Sequence, residues 1–273
     1  MIKLTSWNVN SVRLRLPQIE KFLQQTNPDI LCLQEIKCLA EQFPAKAFAK
    51  AGYPHQAISG QKGMHGVAII SKLPLSEEHV PDFCPRGEAR VQSVKVAGFT
   101  LLNLYIPAGG DEPDVKINPK FAHKLEYLSN LQQHFTARSD QGSALEVLVG
   151  DLNIAPGEFD VWSHKQLLRV VSHTPIEVDA LNSVKNSFDF VDMARVCVPE
   201  TEPLFTWWSY RSKDWTKNNR GRRLDHIWLS ASLAEISNKA KFTAHTDCRS
   251  WERPSDHAPI TLEFRVTASQ KET

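Results

Sequence analysis

Two short stretches far apart in the chain, Gly150-Asp151-Leu152-Asn153-Ile154-Ala155-Pro156 and Pro254-Ser255-Asp256-His257-Ala258-Pro259, set acidic, amide and imidazole side chains against apolar runs of strand character. The first follows Leu145 to Val149, a run suited to an interior strand. The second precedes Ile260 to Val266, where Ile260, Leu262, Phe264 and Val266 alternate with Thr261, Glu263 and Arg265. Two more pieces share the pattern: Ser6-Trp7-Asn8-Val9-Asn10 after an N-terminal strand candidate, and Leu31-Cys32-Leu33-Gln34-Glu35 after the turn-forming Asn27-Pro28-Asp29. Four separate strands thus end in carboxylate or amide groups, which is how a buried catalytic centre reads.

Strand candidates recur at Ile2 to Val9, Ile30 to Gln34, Gly66 to Ser71, Arg90 to Val96, Phe99 to Ile106, Leu145 to Gly150, Asp225 to Ser230 and Ile260 to Val266. Between them lie helix-like segments. Leu16 to Gln25 carries Pro17 near its start, as a first helical turn allows, and Phe121, Leu125, Leu128, Leu131 and Phe135 fall on one helical face. Interleaved strands and helices predict a layered α/β domain. A chain of 273 residues suffices for one large domain. No linker, repeat or low-complexity tract divides it, so one domain is expected over 1–266, with a disordered tail at 267–273.

The start of the chain lacks the basic-then-apolar pattern of a secretion signal, and no apolar run has the length needed to cross a bilayer. A soluble, cytoplasmic protein is expected. Cys32, Cys38, Cys84, Cys197 and Cys248 are scattered, with no paired spacing that would suggest zinc or a disulfide framework, and read as reduced structural thiols. The formal net charge of +1 does not announce a nucleic-acid binder. Local charge says more. Arg211, Lys213, Lys217, Arg220, Arg222 and Arg223 face a single acid, Asp214, and Trp207, Trp208, Tyr210 and Trp215 lie in or beside the run. Cations there can meet phosphates while aromatics pack on bases or sugars.

Taken with Tyr105 in Leu104-Tyr105-Ile106-Pro107 and Asp225 in Arg223-Leu224-Asp225-His226-Ile227, the strand-end groups form an ordered set that resembles the exonuclease III branch of the endonuclease/exonuclease/phosphatase superfamily. The likeness covers nearly the whole chain. It implies a four-layer α/β sandwich, in which two facing mixed β-sheets are flanked by helices as in deoxyribonuclease I, with the active site at one end. It also implies a DNA-repair nuclease that cuts 5′ to abasic sites in double-stranded DNA, with 3′→5′ exonuclease and 3′-phosphodiesterase or phosphatase activity on blocked 3′ ends, acting as a monomer.

A phosphodiester resists attack by water, so its hydrolysis needs an activated nucleophile, positive charge or donors at the phosphoryl oxygens, and help for the leaving alkoxide. Glu35 and Asp256, with Asn8, offer the hard oxygen ligands that Mg²⁺ prefers, Mn²⁺ being a substitute. By resemblance, Asp151, Asn153 and His257 also border the metal. Asp151 would act on the attacking water or protonate the leaving group, Asn153 would stabilise the transition state, and Tyr105 would contact the scissile phosphate. Asp225 would orient His257 and favour its charged form. Asp151 and Asn153 alternate around Leu152, so a strand-like path points both one way; the competing reading is a self-contained Asp-x-Asn turn. Arg90 matches an arginine that meets the DNA backbone, although at a strand start it would equally suit surface charge. Arg211, Lys213, Arg220 and Arg222 would meet DNA, while Trp207 and Leu224 would wall a pocket for a flipped-out, base-free sugar.

Three departures stand out. Ala108 replaces a polar residue of many relatives, Asn10 an aspartate of some, and Arg222 a bulky apolar side chain, which implies a more cationic rim. Other branches of the superfamily, including inositol-polyphosphate phosphatases and sphingomyelinases, carry a histidine on the loop where this chain has Tyr105-Ile106-Pro107. A binding module on a decayed nuclease fold is the non-enzymatic alternative, but the matched site groups are all chemically competent.

Overall fold

The computed structural model describes residues 1–138, 144–211, 214–237 and 239–266. In chain order its strands are β1 (Ile2–Asn8), β2 (Ile30–Gln34), β3 (His55–Ser59), β4 (Val67–Ser71), β5 (Ser76–His79) and β6 (Val91–Val96). They continue with β7 (Phe99–Tyr105), β8 (Glu146–Asp151), β9 (Phe190–Asp192), β10 (Asp225–Ser230), β11 (Lys241–Ala244) and β12 (Ile260–Phe264). The helices are α1 (Val12–Thr26), α2 (Ala45–Lys50), α3 (Pro119–Thr136), α4 (His164–Leu167), α5 (Pro175–Asn186), α6 (Met193–Cys197), α7 (Trp215–Asn218) and α8 (Ala231–Ile236). One six-stranded sheet has the order β11-β12-β1-β2-β4-β3, the other β5-β6-β7-β8-β10-β9. Both are mixed: β1 and β2 run parallel, as do β7 and β8, while the other pairs are antiparallel.

Leu4, Ile30, Cys32 and Ile69 of the first sheet meet Val94, Leu101, Val147, Val149 and Ile227 of the second in one buried cluster between the sheets. The alternate residues Leu31, Leu33, Ala68 and Ile70 face outward onto Ile19, Phe22 and Leu23 of α1. On the far side, Leu102, Leu104, Leu148 and Trp228 meet Leu128, Leu131 and Phe135 of α3 and Leu181 and Val184 of α5. The central strands are apolar on both faces because both are covered. The expected four layers result.

Local signals explain the helix ends. Asn118 caps α3, its side chain accepting from Lys120 N at 3.0 Å, with Pro119 in the first turn. For α5, Thr174 and Glu177 form a capping box around Pro175. That Thr-Pro-x-Glu signal lies in the sequence, yet the helix was not anticipated there. Another difference is that α1 starts four residues ahead of expectation, which places Pro17 in its interior. Its start is fixed from outside, because Ser11 N and Val12 N donate to Glu35 O and Ile36 O at 2.7 and 3.2 Å. The short edge strands β3, β5, β9 and β11 were also not anticipated. The anticipated tail 267–273 lies outside the described residues, and among those described no helix is long and apolar enough to cross a membrane.

Along each inner face, side chains turn polar toward one end: Leu4-Ser6-Asn8, Ile30-Cys32-Gln34, Leu101-Asn103-Tyr105 and Val147-Val149-Asp151 each follow the two-residue period. At this end the sheets are hydrogen-bonded to each other. Asn103 Nδ2 reaches Leu33 O and Ala68 O at 3.0 and 2.9 Å, and Gln34 Nε2 donates to Asn103 Oδ1 at 2.6 Å and to Ser6 Oγ at 3.0 Å.

The start of β10 is held by buried charge. Arg223 donates to both Asp160 oxygens at 2.6 and 2.8 Å and to Asp192 at 2.7 Å, and Arg195 also reaches Asp160 at 2.5 Å. Burial alone would raise the Asp160 carboxyl, but Arg223 and Arg195 outweigh it and hold it at about 2. A carboxyl whose folded value lies below its unfolded value stabilises the fold above about pH 4, and that stability is lost as pH falls toward the folded value. Asp160→Asn is therefore expected to cost about 3 kcal/mol near neutrality, because it strips a partner from buried guanidinium groups. The deficit relative to wild type should shrink by about 2 kcal/mol by pH ~2. Urea unfolding across this range checks it; a deficit that stays constant down to the lowest pH would contradict the assignment.

Candidate active site

The polar inner ends converge on Asp151. In the sheet register Asp151 lies opposite Tyr105 on one side and Asp225 on the other. From the facing sheet, Asn8 Nδ2 bridges Asp151 Oδ2 and Glu35 Oε1, each at 2.9 Å. Glycine before Asp151 has a steric cause: a Cβ on Gly150 would stand 1.9 Å from Leu104 O.

His257 completes the centre from the segment before β12. Its Nδ1 donates to Asp225 Oδ2 at 2.9 Å, its Nε2 lies 3.6 Å from Asp151 Oδ2, and Thr206 Oγ1 donates to Asp225 Oδ2 at 2.6 Å. Burial alone would favour the neutral imidazole, but Asp225 and Asp151 outweigh it and push His257 up to about 10. Burial, reinforced by Asp225 and Glu35, raises Asp151 to about 7 even against the pull of His257. A cationic imidazole thus sits beside a carboxyl that changes protonation near neutrality.

Burial would likewise raise Glu35, yet the Lys37 ammonium at 2.7 Å and hydrogen bonds from Asn8 and Tyr105 hold it below the usual carboxylate range. Tyr105 donates to Glu35 Oε1 at 2.8 Å, and burial together with Glu35 and Asp151 keeps the phenol protonated. Glu35 and Asp256 are joined through two side chains: Lys37 Nζ also donates to Asn10 Oδ1 at 2.6 Å, and Asn10 Nδ2 reaches Asp256 Oδ1 at 3.3 Å. Asp256 Oδ2 accepts from Trp207 Nε1 at 3.0 Å. Hard oxygens of Glu35 and Asp256 fit a cation such as Mg²⁺. Asn8 takes part as a donor, with its Oδ1 accepting from Asn10 N at 3.0 Å. Asp151, Asp225 and His257 bring ligand atoms within 4.8 Å of one another, but their His257–Asp225 edge is spent on a hydrogen bond.

Asn153 reaches Asp151 by a turn, not by strand alternation. Strand β8 ends at Asp151, Asn153 has φ 54°, and its N donates to Asp151 Oδ1 at 2.9 Å. The turn still serves the site, because Asn153 Nδ2 reaches Asp151 Oδ2 at 3.3 Å and Ile106 O at 2.8 Å. Glu35 and Asn10 also adopt left-handed backbone, at φ 50° and 45°. Such conformations in residues with a Cβ persist only where the surroundings enforce them, and functional sites are where they gather.

Around this centre Trp207 and Leu224 pack with Ala155, Val161 and Trp162 in a small apolar cluster. Trp207 pairs through its backbone with both His257 and Arg222, so the three residues form a row. Arg222 is drawn inward: its guanidinium lies 5.4 Å from the Trp207 ring centroid and donates to Val171 O and Ser172 Oγ at 3.0 and 2.7 Å, where a free cationic rim was expected. Arg220 lies over Trp162 at 4.6 Å, Arg211 is exposed, and Lys213 falls outside the described residues. Trp208 is buried against Phe205 and Trp215 rather than displayed as a stacking surface. Arg90 is buried as well, pairing with Glu88 at 2.5 Å, donating to Tyr105 O at 3.2 Å and lying over the Tyr105 ring at 4.8 Å. It backs Tyr105 and is not surface charge.

The sequence reading missed Lys37, Thr206 and the buried Lys124–Glu177 pair. Lys124 Nζ meets Glu177 at 2.5 Å and donates to Asn153 O at 2.9 Å, while Glu177 accepts from Ser172 N and Thr174 N, so one ion pair holds both the Asn153 turn and the loop that receives Arg222. Lys37, two residues after Glu35, had a local signal; the others are brought in from distant segments.

Comparison with known proteins agrees with this geometry. Residues 5–257 match the Endonuclease/Exonuclease/phosphatase family. The chain is 32% identical to exodeoxyribonuclease III of Haemophilus influenzae, over 97% of this chain and 100% of that one. It is 30% identical to the DNA repair nuclease APEX1 of Danio rerio, over 97% of this chain and 83% of the relative. Among solved structures, an AP endonuclease from Archaeoglobus fulgidus superposes with a TM-score of 0.89 at 33% identity, covering 97% of this chain and 100% of that one. A 3′-5′ exonuclease from Neisseria meningitidis gives 0.88 at 31%, with the same coverage. The converging strand ends, the two-sheet sandwich and these full-length likenesses have one reading: the chain belongs to the endonuclease/exonuclease/phosphatase family.

Proposed function

We propose that the chain is a DNA-repair phosphodiesterase that cuts 5′ to abasic sites in double-stranded DNA and removes intact or blocked 3′ ends by divalent-cation-dependent hydrolysis. The observation that carries this reading is the Asp225–His257–Asp151 row on the side of the sandwich where Glu35 and Tyr105 also meet, because it gathers charge and donors of the kinds that phosphoryl transfer needs. The full-length likeness to exodeoxyribonuclease III and to an AP endonuclease supports the substrate class. The same reading makes the protein a monomer with one domain over 1–266, working in the cytoplasm and nucleoid-associated when on DNA.

Each side chain then has a task. Asp151, poised near neutrality, takes the proton of the attacking water and can return it to the leaving oxygen. His257, kept cationic by Asp225, holds a phosphoryl oxygen, while the phenol of Tyr105 and the amide of Asn153 donate to the charge that develops. Glu35 and Asp256 would hold Mg²⁺, or Mn²⁺ in its place, with Asn8 fixing Glu35 against Asp151. A cation bound there supplies further positive charge against the anionic substrate.

On this reading EDTA abolishes cleavage of an abasic duplex, and Asp151→Asn and His257→Ala lower the single-turnover rate at saturating DNA by about 100-fold or more while Kd moves only about fivefold. Loss confined to Kd would make either residue a positioning group. Asp225→Asn removes the carboxylate that lifts His257, so the alkaline limb of the pH–rate profile should move to lower pH; an unmoved limb would count against the Asp225–His257 pairing.

Trp207 and Leu224 would receive the extruded abasic sugar, whose extrusion forfeits no base pairing or stacking of its own. Trp207→Ala should therefore reduce abasic-site cleavage more than removal of an ordinary 3′ nucleotide. Equal losses in both assays for the tryptophan variant would reject this account of the pocket.

A further inference from the structure

The segment between β5 and β6 carries Cys84-Pro85-Arg86-Gly87-Glu88, which folds back on itself: Gly87 N donates to Cys84 O at 2.9 Å, and Gly87 adopts φ 61°, a conformation that suits glycine. The turn brings the Cys84 thiol and the Glu88 carboxylate to one side. His123, on the second turn of α3, meets them there, with its Nε2 at 3.7 Å from Cys84 Sγ. One ligand atom from each of the three side chains lies within 4.8 Å of the others. Cys84 and His123 are buried, while Glu88 is only partly so.

These distances have a chemical reading. A tetrahedral zinc ion, with bonds of about 2.3 Å to sulfur and about 2.0 Å to nitrogen, holds those two atoms roughly 3.5 Å apart. The thiol and imidazole already stand close to that spacing. The donor set of one sulfur, one nitrogen and one oxygen selects a borderline ion such as Zn²⁺ over Mg²⁺, whereas the carboxylates of Glu35 and Asp256 favour the harder ion. Burial, with Arg86 and Arg90 nearby, disfavours the charged imidazole of His123, which leaves it in the neutral form that a ligand needs. Glu88 Oε2 also accepts from Arg90 Nε at 2.5 Å and lies 3.7 Å from His65 Nε2, so a cation at this site would share the carboxylate with Arg90. We infer that Cys84, Glu88 and His123 form a zinc-class site separate from the catalytic centre. Sequence spacing gave no sign of it, because the histidine comes from a helix 39 residues downstream of the cysteine.

Titration of the metal-free protein with Co²⁺ in saturating Mg²⁺ tests the site, since cobalt bound to a thiolate reports itself by a charge-transfer band in the near ultraviolet. One equivalent should produce the band, and one equivalent of Zn²⁺ should remove it. Cys84→Ser should abolish the band, Glu88→Gln should weaken cobalt binding at least tenfold, and Cys197→Ser, which alters a thiol elsewhere, should leave both unchanged. Melting of each variant in metal-free buffer reports folding; if Cys84→Ser does not fold, the partly exposed Glu88→Gln variant carries the test. Absence of the band in wild type would show that the thiol–imidazole contact is a hydrogen bond only and would overturn the inference. So would a band that survives Cys84→Ser, cobalt affinity that survives Glu88→Gln, or a band that disappears in Cys197→Ser.

Discussion

The amide of Asn103 is the joint on which this structure turns. Two sheets that meet only through apolar side chains can slide, since the hydrophobic effect has no direction. Asn103 removes that freedom at one end: it spans the gap to Leu33 O and Ala68 O and accepts from Gln34. All of these groups are buried, so a shift of either sheet would leave polar atoms without water or partner. Asp151, Tyr105, Asn8 and Glu35 lie just beyond the joint, two on each sheet, and their mutual spacing depends on it.

The electrostatics of the site follow from unequal compensation of its acids. Glu35 has an ammonium and two neutral donors and stays ionised. Asp225 spends one oxygen on Thr206 and His257. Asp151 is fully surrounded, shares the His257 imidazole with Asp225 and stands near two other carboxylates, so its carboxyl is raised to about 7. The chain separates an acid that holds charge from an acid that exchanges it by choosing neighbours, using the same carboxylate chemistry for both.

Much of this was legible from residues alone because the inner faces follow a strict two-residue period that switches from apolar to polar at one end. Gln34, Asp151 and Tyr105 could be assigned to strand ends by that switch, and the mixture of periods indicated a layered α/β domain. What escaped has one physical cause. Lys124, Glu177, Asp160 and Thr206 act on the site through contacts between segments far apart in the chain, and local pattern carries no record of such contacts. Asn153 was placed in the right company by the wrong geometry: its two-residue spacing from Asp151 fits a strand, but the carboxylate captures its backbone N–H and turns the chain. Arg222 looked like free charge because sequence does not reveal that Val171 and Ser172 offer it acceptors.

Strand β1 lies between β2 and β12, so the first strand of the chain is completed on one side by the last, with Ile2 opposite Phe264 and Ser6 opposite Ile260. Pairing between strands so far apart in sequence closes a long loop and can form only once β12 is present. Asp256 and His257 ride on the segment that makes this final pairing. A growing chain on the ribosome can therefore gather Glu35, Tyr105 and Asp151 and still lack its imidazole. Closure of the first sheet by β12 is therefore also the step that brings the imidazole to Asp225 and Asp151.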